Sequence, residues 1–441
     1  MNFLKSKRQE LERQHTLNEL KLALKQKEQV VYRENGNRHA NGKTFLKKIE
    51  QIAPKIGVTR NADISYLGHA PYPVIQSCRP NYLTHSSFGQ NSGAQGKGRN
   101  QTQATISCLM ETIEGFCCEP RNPELIRASY DFLKDHKLVY DPRKFVRDRS
   151  LVAPNLKESF MWTPAYCLVS QLEVLVPAEL IYFPFLAADY ETRSLFPSGT
   201  NGLASGSTYL EATIHALYEV IERNYIFHFE TGDIKIEALY DQEIEDVSLR
   251  QFKKQMANEY EVQFYALEHQ QNKNLPCILC AVVSQGETHL GWGLSGTVDI
   301  SISRAFSEAL QSLAANISGT REDLASNETD GMSKGENDIF DKTPQPQKRT
   351  LRIKDYKKRV HDQIFKSLNE ELDFILKWLR QRGCTNVFVA NLTRVGVDVP
   401  VVKVVIPGFE VPQAYKVINT GTQLDVYKKK FPNIGIKGFY A

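Results

Sequence analysis

The chain has no strong charge of either sign: 55 lysines and arginines against 51 aspartates and glutamates leave a formal net charge of +4. So mild an excess is no footprint for nucleic acid, and no stripe of arginines interleaved with aromatics supplies one locally. No apolar run approaches the roughly 18 residues that a membrane-spanning helix requires, and no secretory signal opens the sequence. It therefore reads as a cytoplasmic protein. The eight cysteines (78, 108, 117, 118, 167, 277, 280 and 384) form no disulfide framework. Cys277-x2-Cys280 lies inside an apolar run, Leu275 to Val283, that reads as a buried strand with small thiol side chains. A zinc site would need a second pair, and Cys117-Cys118 is a poor one. Also missing are the common nucleotide motifs: GxxxxGK followed by Ser or Thr, the kinase HRD and DFG sets, and GxGxxG after a strand. Any nucleotide site here is of a less common kind.

What the chain does have is the stretch from Ser198 to Arg223. Its first half is rich in small residues, with Gly199, Gly202 and Gly206 among Asn201, Ser205, Ser207 and Thr208. Such a loop can bring backbone N–H groups and short hydroxyls to a phosphate, and Ser207 or Thr208 can cap the helix that follows. That helix carries Glu211, His215, Glu219, Glu222 and Arg223. At 3.6 residues per turn Glu211, His215, Glu219 and Glu222 fall within roughly 80° of one another, with Ile214, Leu217, Val220 and Ile221 opposite. Stacked carboxylates repel, and a divalent cation holding a polyphosphate removes the repulsion. His215 on this face reads either as a phosphate contact or as a structural hydrogen-bonding group.

The device recurs. Ser107, Glu111 and Glu114 share one face of a helix backed by Ile106, Leu109, Met110 and Ile113, after a basic loop Gly96-Lys97-Gly98 that is expected to be flexible. Arg304, Glu308 and Gln311 share a face opposite Phe306, Leu310 and Leu313, with Arg321 shortly after. One such helix alone is an ordinary solvated face. Three, each paired with a basic or glycine-rich neighbour, point to one charged ligand, and Mg²⁺ suits a shell completed by phosphates and water.

These residues resemble the YcaO family across roughly residues 55 to 411. The matching signatures are Gly57-Val-Thr-Arg60, Gly96-Lys97-Gly98, Ser107-x3-Glu111-x2-Glu114 and Asn201-Gly-Leu-Ala-x-Gly206, then Glu211 and Glu219-x2-Glu222-Arg223. Glu308-x2-Gln311, Gly319-x-Arg321 and the run from Pro400 to Glu410 complete them. The resemblance implies an ATP-dependent enzyme that activates peptide backbone amides by phosphorylating the amide oxygen. It implies Mg²⁺ on Glu111, Glu114, Glu219, Glu222 and Glu308. It implies ATP on Lys97, Ser107, Asn201, Ser207, Glu211, Arg223, Gln311 and Arg321. The substrate implied is a ribosomally made precursor peptide or a protein, giving azolines or thioamides, with a partner protein for leader recognition or sulfur delivery. A nucleotide-binding scaffold subunit assisting another enzyme is the alternative, and the intact carboxylates argue against it.

Three positions depart from the family: Ser207 where Asn is frequent, Gly115 where many relatives carry Arg, and Leu313 where an Arg often follows the Gln. Ring-forming members commonly end in a PxPxP segment. Here only Pro432 lies in the stretch from Phe431 to Ala441, which tilts the expectation toward thioamides or a non-standard ring former.

The carboxylate helices span residues 107 to 311 and have to meet, so the bulk of the 441 residues reads as one body. A hydrophobic content of 41% supports a sizeable core. The expected fold is α/β in the mixed, α+β sense, with strand-like runs at 166–184, 262–283, 386–391 and 401–406 forming mixed sheets covered by helices. Residues 1–50 read as a charged helical arm with a thin stripe of Leu4, Leu11, Leu17, Leu20 and Leu24. The arm either packs on the body or docks a partner or a second copy. Residues 51–441 form the catalytic domain, and the polar stretch at about 325–350 is expected to be a mobile loop or lid.

Overall fold

The computed structural model describes residues 14–33, 36–68, 70–80, 93–120, 125–145, 154–185, 190–192, 194–196, 199–269, 274–284, 287–318 and 350–412. Arg321, all but the last residue of the expected lid and the C-terminal stretch lie outside them.

Helices occupy Leu17–Ala23 (α1), Gly42–Ile52 (α2), Gln101–Cys117 (α3), Tyr130–Leu133 (α4), Tyr209–Glu230 (α5), Val247–Met256 (α6), Val298–Ser318 (α7), Ile353–Arg359 (α8) and Leu368–Arg380 (α9). Short polar side chains start them where an orphan N–H needs an acceptor. Asn100 accepts from the Gln103 amide at α3, and Thr208 from the Glu211 amide at α5.

The strands are Tyr32–Arg33 (β1), Asn37–Arg38 (β2), Arg60–Asp63 (β3), Val74–Cys78 (β4), Gly93–Lys97 (β5), Ile126–Ser129 (β6), Ser159–Cys167 (β7) and Glu173–Pro177 (β8). They continue with Leu203–Ser205 (β9), Lys235–Tyr240 (β10), Glu261–Glu268 (β11), Cys277–Ser284 (β12), Glu287–Leu294 (β13), Leu351–Arg352 (β14), Phe388–Asn391 (β15) and Val401–Val405 (β16). Three sheets of more than two strands result, ordered β13-β12-β11-β10-β14, β6-β7-β15-β16-β9 with β8 on β7, and β3-β4-β5. The pairings are antiparallel apart from β10 with β14, which makes the expected mixed sheet.

The expected strand runs fall on β7–β8, β11–β12, β15 and β16. The apolar run at Cys277–Ser284 is a central strand, and Cys277 and Cys280 are fully buried thiols in it.

α5 is the central element. It lies between β9 and β16 of one sheet and β13 of another, and it is buried on nearly every side. Leu210, Leu217, Ile221 and Tyr225 join Leu279, Leu294, Leu376 and Val402 in one core. α7 covers β12 and β13, and α3 covers β4 and β5. Leu20 of α1 has no exposed surface and belongs to the same core as α5, so the described part of the N-terminal segment lies on the body.

Candidate active site

Three strand–turn–helix units carry the candidate residues. β5 leads through Gly98 into α3, β9 through Gly206 into α5, and β13 through Ser295 into α7. Glu111, Glu219 and Glu308 stand at the same distance along the chain from Gly98, Gly206 and Ser295, and Glu114, Glu222 and Gln311 follow one turn later. Packing repeats with the spacing. A Cβ at Gly96 would meet the Ala104 carbonyl and Cys108 amide of α3 at 2.3 and 2.0 Å. One at Gly293 would meet the Ser301 carbonyl and Ala305 amide of α7 at 2.1 and 2.6 Å. Glycine lets each helix backbone lie directly on its strand.

One expectation changes as a result. Gly96 and Lys97 belong to β5, so the flexible loop expected there is the end of a close-packed strand. Likewise a Cβ at Gly206 would strike the Ala212 amide at 2.5 Å, and one at Gly202 the Val404 carbonyl at 2.3 Å. These glycines serve helix–strand packing, and main-chain N–H groups of the same loop still face the charged centre, that of Gly202 bonding Glu219.

The units bond across one another. Lys97, at the end of β5, donates from Nζ to Glu308 Oε2 of α7 at 3.3 Å. Ser205, at the equivalent end of β9, donates its main-chain N–H and its hydroxyl to Glu114 Oε1 of α3 at 2.7 and 2.6 Å. Arg223 Nη1 lies 4.0 Å from Glu308 Oε1 and 3.9 Å from Glu222 Oε1.

All five carboxylates sense one another in a chain: Glu111 and Glu219 act on Glu114, and Glu308 and Glu219 act on Glu222. Burial and then these neighbours push Glu114 up to about 8, against its bonds from Ser205, and burial with Glu308 pushes Glu222 up to about 7. Burial also raises Glu219, against Arg223 and Lys403. Glu308 goes the other way: burial opposes its charge, but Lys97, Arg223 and Arg304 outweigh it and hold the carboxyl below its ordinary range. Glu308 is thus the ionised member of the pair, and the more deeply buried Glu222 retains its proton more readily.

The other assigned residues among those described lie on or beside the same three strand–turn–helix units. Ser207 donates its N–H and hydroxyl to Glu211 Oε2 at 2.7 and 2.6 Å, and the His39 N–H donates to Glu211 Oε1 at 2.7 Å. Glu211 is therefore held from both sides rather than projecting freely. Gln311 donates to the Gln95 carbonyl at 3.2 Å, Ser107 is half-buried one turn before Glu111, and Asn201 precedes β9. Burial, then Arg304, Arg38 and Lys97, drive His215 well below its ordinary pKa, so it is neutral.

Further residues belong here. Arg304 acts on Glu219, Glu222 and Glu308, and its place four residues before Glu308 is legible in the repeat. Lys403 of β16 is buried, donates to the Gly199 carbonyl at 2.5 Å and lies near Glu219; burial lowers it to about 8. Its signal was one lysine inside a valine run. Arg38 reaches His215 from the N-terminal segment, and nothing in its local sequence marks it.

The donor set fits a cation with a polyphosphate. Glu222 Oε2 and Asn201 Oδ1 are buried acceptors without a hydrogen-bond partner, as a cation or its water would require, and Arg304 Nε is a buried donor without one. The five carboxylates do not form a closed protein cage: the one tight group of three His, Cys, Asp or Glu ligand atoms among the described residues is elsewhere, at His228, Asp233 and His269. Mg²⁺ seldom uses such a cage and completes its shell from phosphate and water.

Comparison with known proteins gives the family. Residues 95–410 match the family model described as YcaO cyclodehydratase, ATP- and Mg²⁺-binding. An uncharacterized protein of Methanothermobacter thermautotrophicus is 32% identical over 382 residues, covering 83% of this chain and 93% of that one. An uncharacterized protein encoded in the tfuA 3′ region of Rhizobium leguminosarum bv. trifolii is 29% identical over 171 residues, 38% of each chain. Among solved structures, YcaO from Methanopyrus kandleri bound with AMPPCP and Mg²⁺ superposes with a TM-score of 0.69 at 24% identity, covering 87% of this chain and 94% of that one. A heterocyclase in complex with substrate and cofactor superposes at 0.70 and 16% identity, covering 90% of this chain and 57% of that one. Both share the fold. No helix among the described residues is long and apolar enough to cross a membrane.

Proposed function

Because the chain belongs to the YcaO family, whose model is one of ATP and Mg²⁺ binding, we propose that it uses ATP to phosphorylate backbone amide oxygens of a peptide or protein substrate. The observation that carries this reading is the convergence of Glu111, Glu114, Glu219, Glu222 and Glu308 from three helices on one centre, charge-balanced by Lys97, Arg223 and Arg304.

In this reading the five carboxylates hold Mg²⁺, and Lys97, Ser107, Asn201, Ser207, Glu211, Arg223, Gln311 and Arg321 hold ATP. An amide oxygen is a poor leaving group, and ATP bound with Mg²⁺ supplies the phosphoryl group that lets it depart as phosphate. The chain's own work is positioning and charge neutralisation. Lys97 and Arg223 keep Glu308 ionised before ligand arrives, and Arg304 presents an unpaired donor toward phosphate oxygens. Glu222, whose Oε2 has no hydrogen-bond partner, would hold the cation in its deprotonated form. Ser205 fixes the rotamer of Glu114 with two hydrogen bonds, and Ser207 with His39 does the same for Glu211.

The attacking group then decides the product. We favour an external sulfide, giving a thioamide: one relative is encoded beside tfuA, and the family resemblance associates a TfuA-like partner with sulfur delivery. Cyclodehydration by a substrate Cys, Ser or Thr is the second reading, supported by the family model's name and the shared fold of a heterocyclase.

Phosphate release in the presence of peptide tests the site, with Glu219→Gln and Glu308→Gln each expected to abolish turnover in a folded protein. Normal turnover in either refutes the assignment. Intact-mass analysis of the peptide with ATP and Mg²⁺, with and without sulfide, tests the product. Exchange of oxygen for sulfur supports thioamidation, and loss of one water without sulfide replaces it by cyclodehydration. An unchanged peptide with no phosphate release leaves a nucleotide-binding scaffold.

A further inference from the structure

We propose that His228, Asp233 and His269 form a second metal site, separate from the carboxylate centre, that binds one divalent transition-metal ion. His228 is in the last turn of α5, Asp233 in the turn that leads into β10, and His269 follows β11 directly. The antiparallel pairing of Lys235 with Glu268 brings the start of β10 to the end of β11, and the Asp233 N–H donates to the His228 carbonyl at 2.9 Å. Two distant points of the sequence are thereby placed together, with one ligand atom from each of the three residues inside 4.8 Å of the others.

The geometry centres on Asp233 Oδ2. His269 Nε2 lies 3.2 Å from it and His228 Nδ1 3.7 Å from it, so two ring nitrogens face one point. Two imidazoles and a carboxylate are a donor set for zinc, cobalt, nickel or copper rather than for magnesium, which takes oxygen.

His269 is 5% exposed and its Nδ1 is a buried atom without a hydrogen-bond partner. That feature matters because the two rings are stacked, 3.9 Å apart and 15° from parallel. In-plane lone pairs of stacked rings meet at an ion only after one ring turns about its Cβ–Cγ bond, and no hydrogen bond at His269 Nδ1 has to break for that turn. Asp233 is 75% exposed at its side chain, which leaves a water-accessible fourth position.

Such an ion would pin the C-terminal end of α5 to the β10–β11 pair. His228 sits about 9 Å along the α5 axis from Glu222, so the clip would steady the helix that carries three of the site's acidic residues without touching them.

Metal-free full-length protein is titrated with ZnCl₂ by calorimetry and with CoCl₂ by visible absorption, in the wild type, Glu219→Gln, Asp233→Asn and His269→Gln. The expected result is one tight equivalent in the wild type and in Glu219→Gln, with affinity at least tenfold weaker in the other two. Zn²⁺ but not Mg²⁺ should raise the wild-type Tm by several degrees. Asp233 is exposed, so Asp233→Asn stays folded even if His269→Gln does not. Zinc binding of unchanged affinity in Asp233→Asn, or none in the wild type, overturns the proposal.

Discussion

Glu222→Gln should inactivate the protein and stabilise it in the same step. Glu222 is 2% exposed, its Oε2 has no hydrogen-bond partner, and burial with the charge of Glu308 pushes its pKa from the ordinary 4.5 to about 7. A carboxyl whose folded pKa is raised binds its proton more tightly in the folded state. It therefore favours folding below about pH 4.5, and that contribution is lost as pH rises through the window from about 4.5 to about 7. A rise of that size corresponds to about 3 kcal/mol, and because Arg223 and Arg304 lose part of their counter-charge in the variant, about 2 kcal/mol is the expected net gain above pH 7. Melts in EDTA at pH 5 and pH 8 measure it. The wild type should lose stability between the two relative to Glu222→Gln, whose Tm at pH 8 should be higher by several degrees. Mg²⁺ with ATP should restore the wild type and leave the variant unmoved, and phosphate release by the variant should be lost. A variant less stable than wild type at pH 8, or one that keeps its turnover, would refute the reasoning.

Three other outcomes follow from the geometry. Gly206→Val drives a branched side chain into the Ala212 amide and should cost at least about 1–3 kcal/mol of stability, whereas Gly232→Ala, at φ +76° with nothing within 4 Å, should cost about 1 kcal/mol. An unshifted Tm with a raised ATP KM in Gly206→Val would return that glycine to phosphate binding. Ser205→Ala removes a hydroxyl that lowers Glu114 and leaves the main-chain donor, so Glu114 should rise further from about 8 and the pH–rate profile should move alkaline; an unmoved profile separates Glu114 from turnover. Glu28→Ala strips the Thr208 hydroxyl at the α5 N-cap of its acceptor (2.6 Å), which should raise the ATP KM and cost about 1 kcal/mol in a melt, and no change in either would show that the N-terminal segment does not position α5.

Local periodicity made much of this protein legible in its sequence. Glu111 with Glu114, Glu219 with Glu222 and Glu308 with Gln311 repeat at helical spacing against apolar backs, because a helix places residues three and four apart on one face. Valine-rich runs such as Val401–Val405 likewise announced buried strands. That the three faces share one ligand could be inferred from their repetition, but which carboxylate meets which partner followed only from the tertiary structure, since periodicity says which residues share a face and not what that face meets. The same limit hid Arg38 and Lys403, which come from a distant segment and from inside a strand, and the group of His228 and Asp233 with His269, which only the β10–β11 register brings to them. It also hid the packing role of the glycines. In sequence Gly206 looks like a phosphate loop, while in the fold its missing Cβ is the space in which the backbone of α5 lies, and a close approach of two backbones is visible only once both are in place.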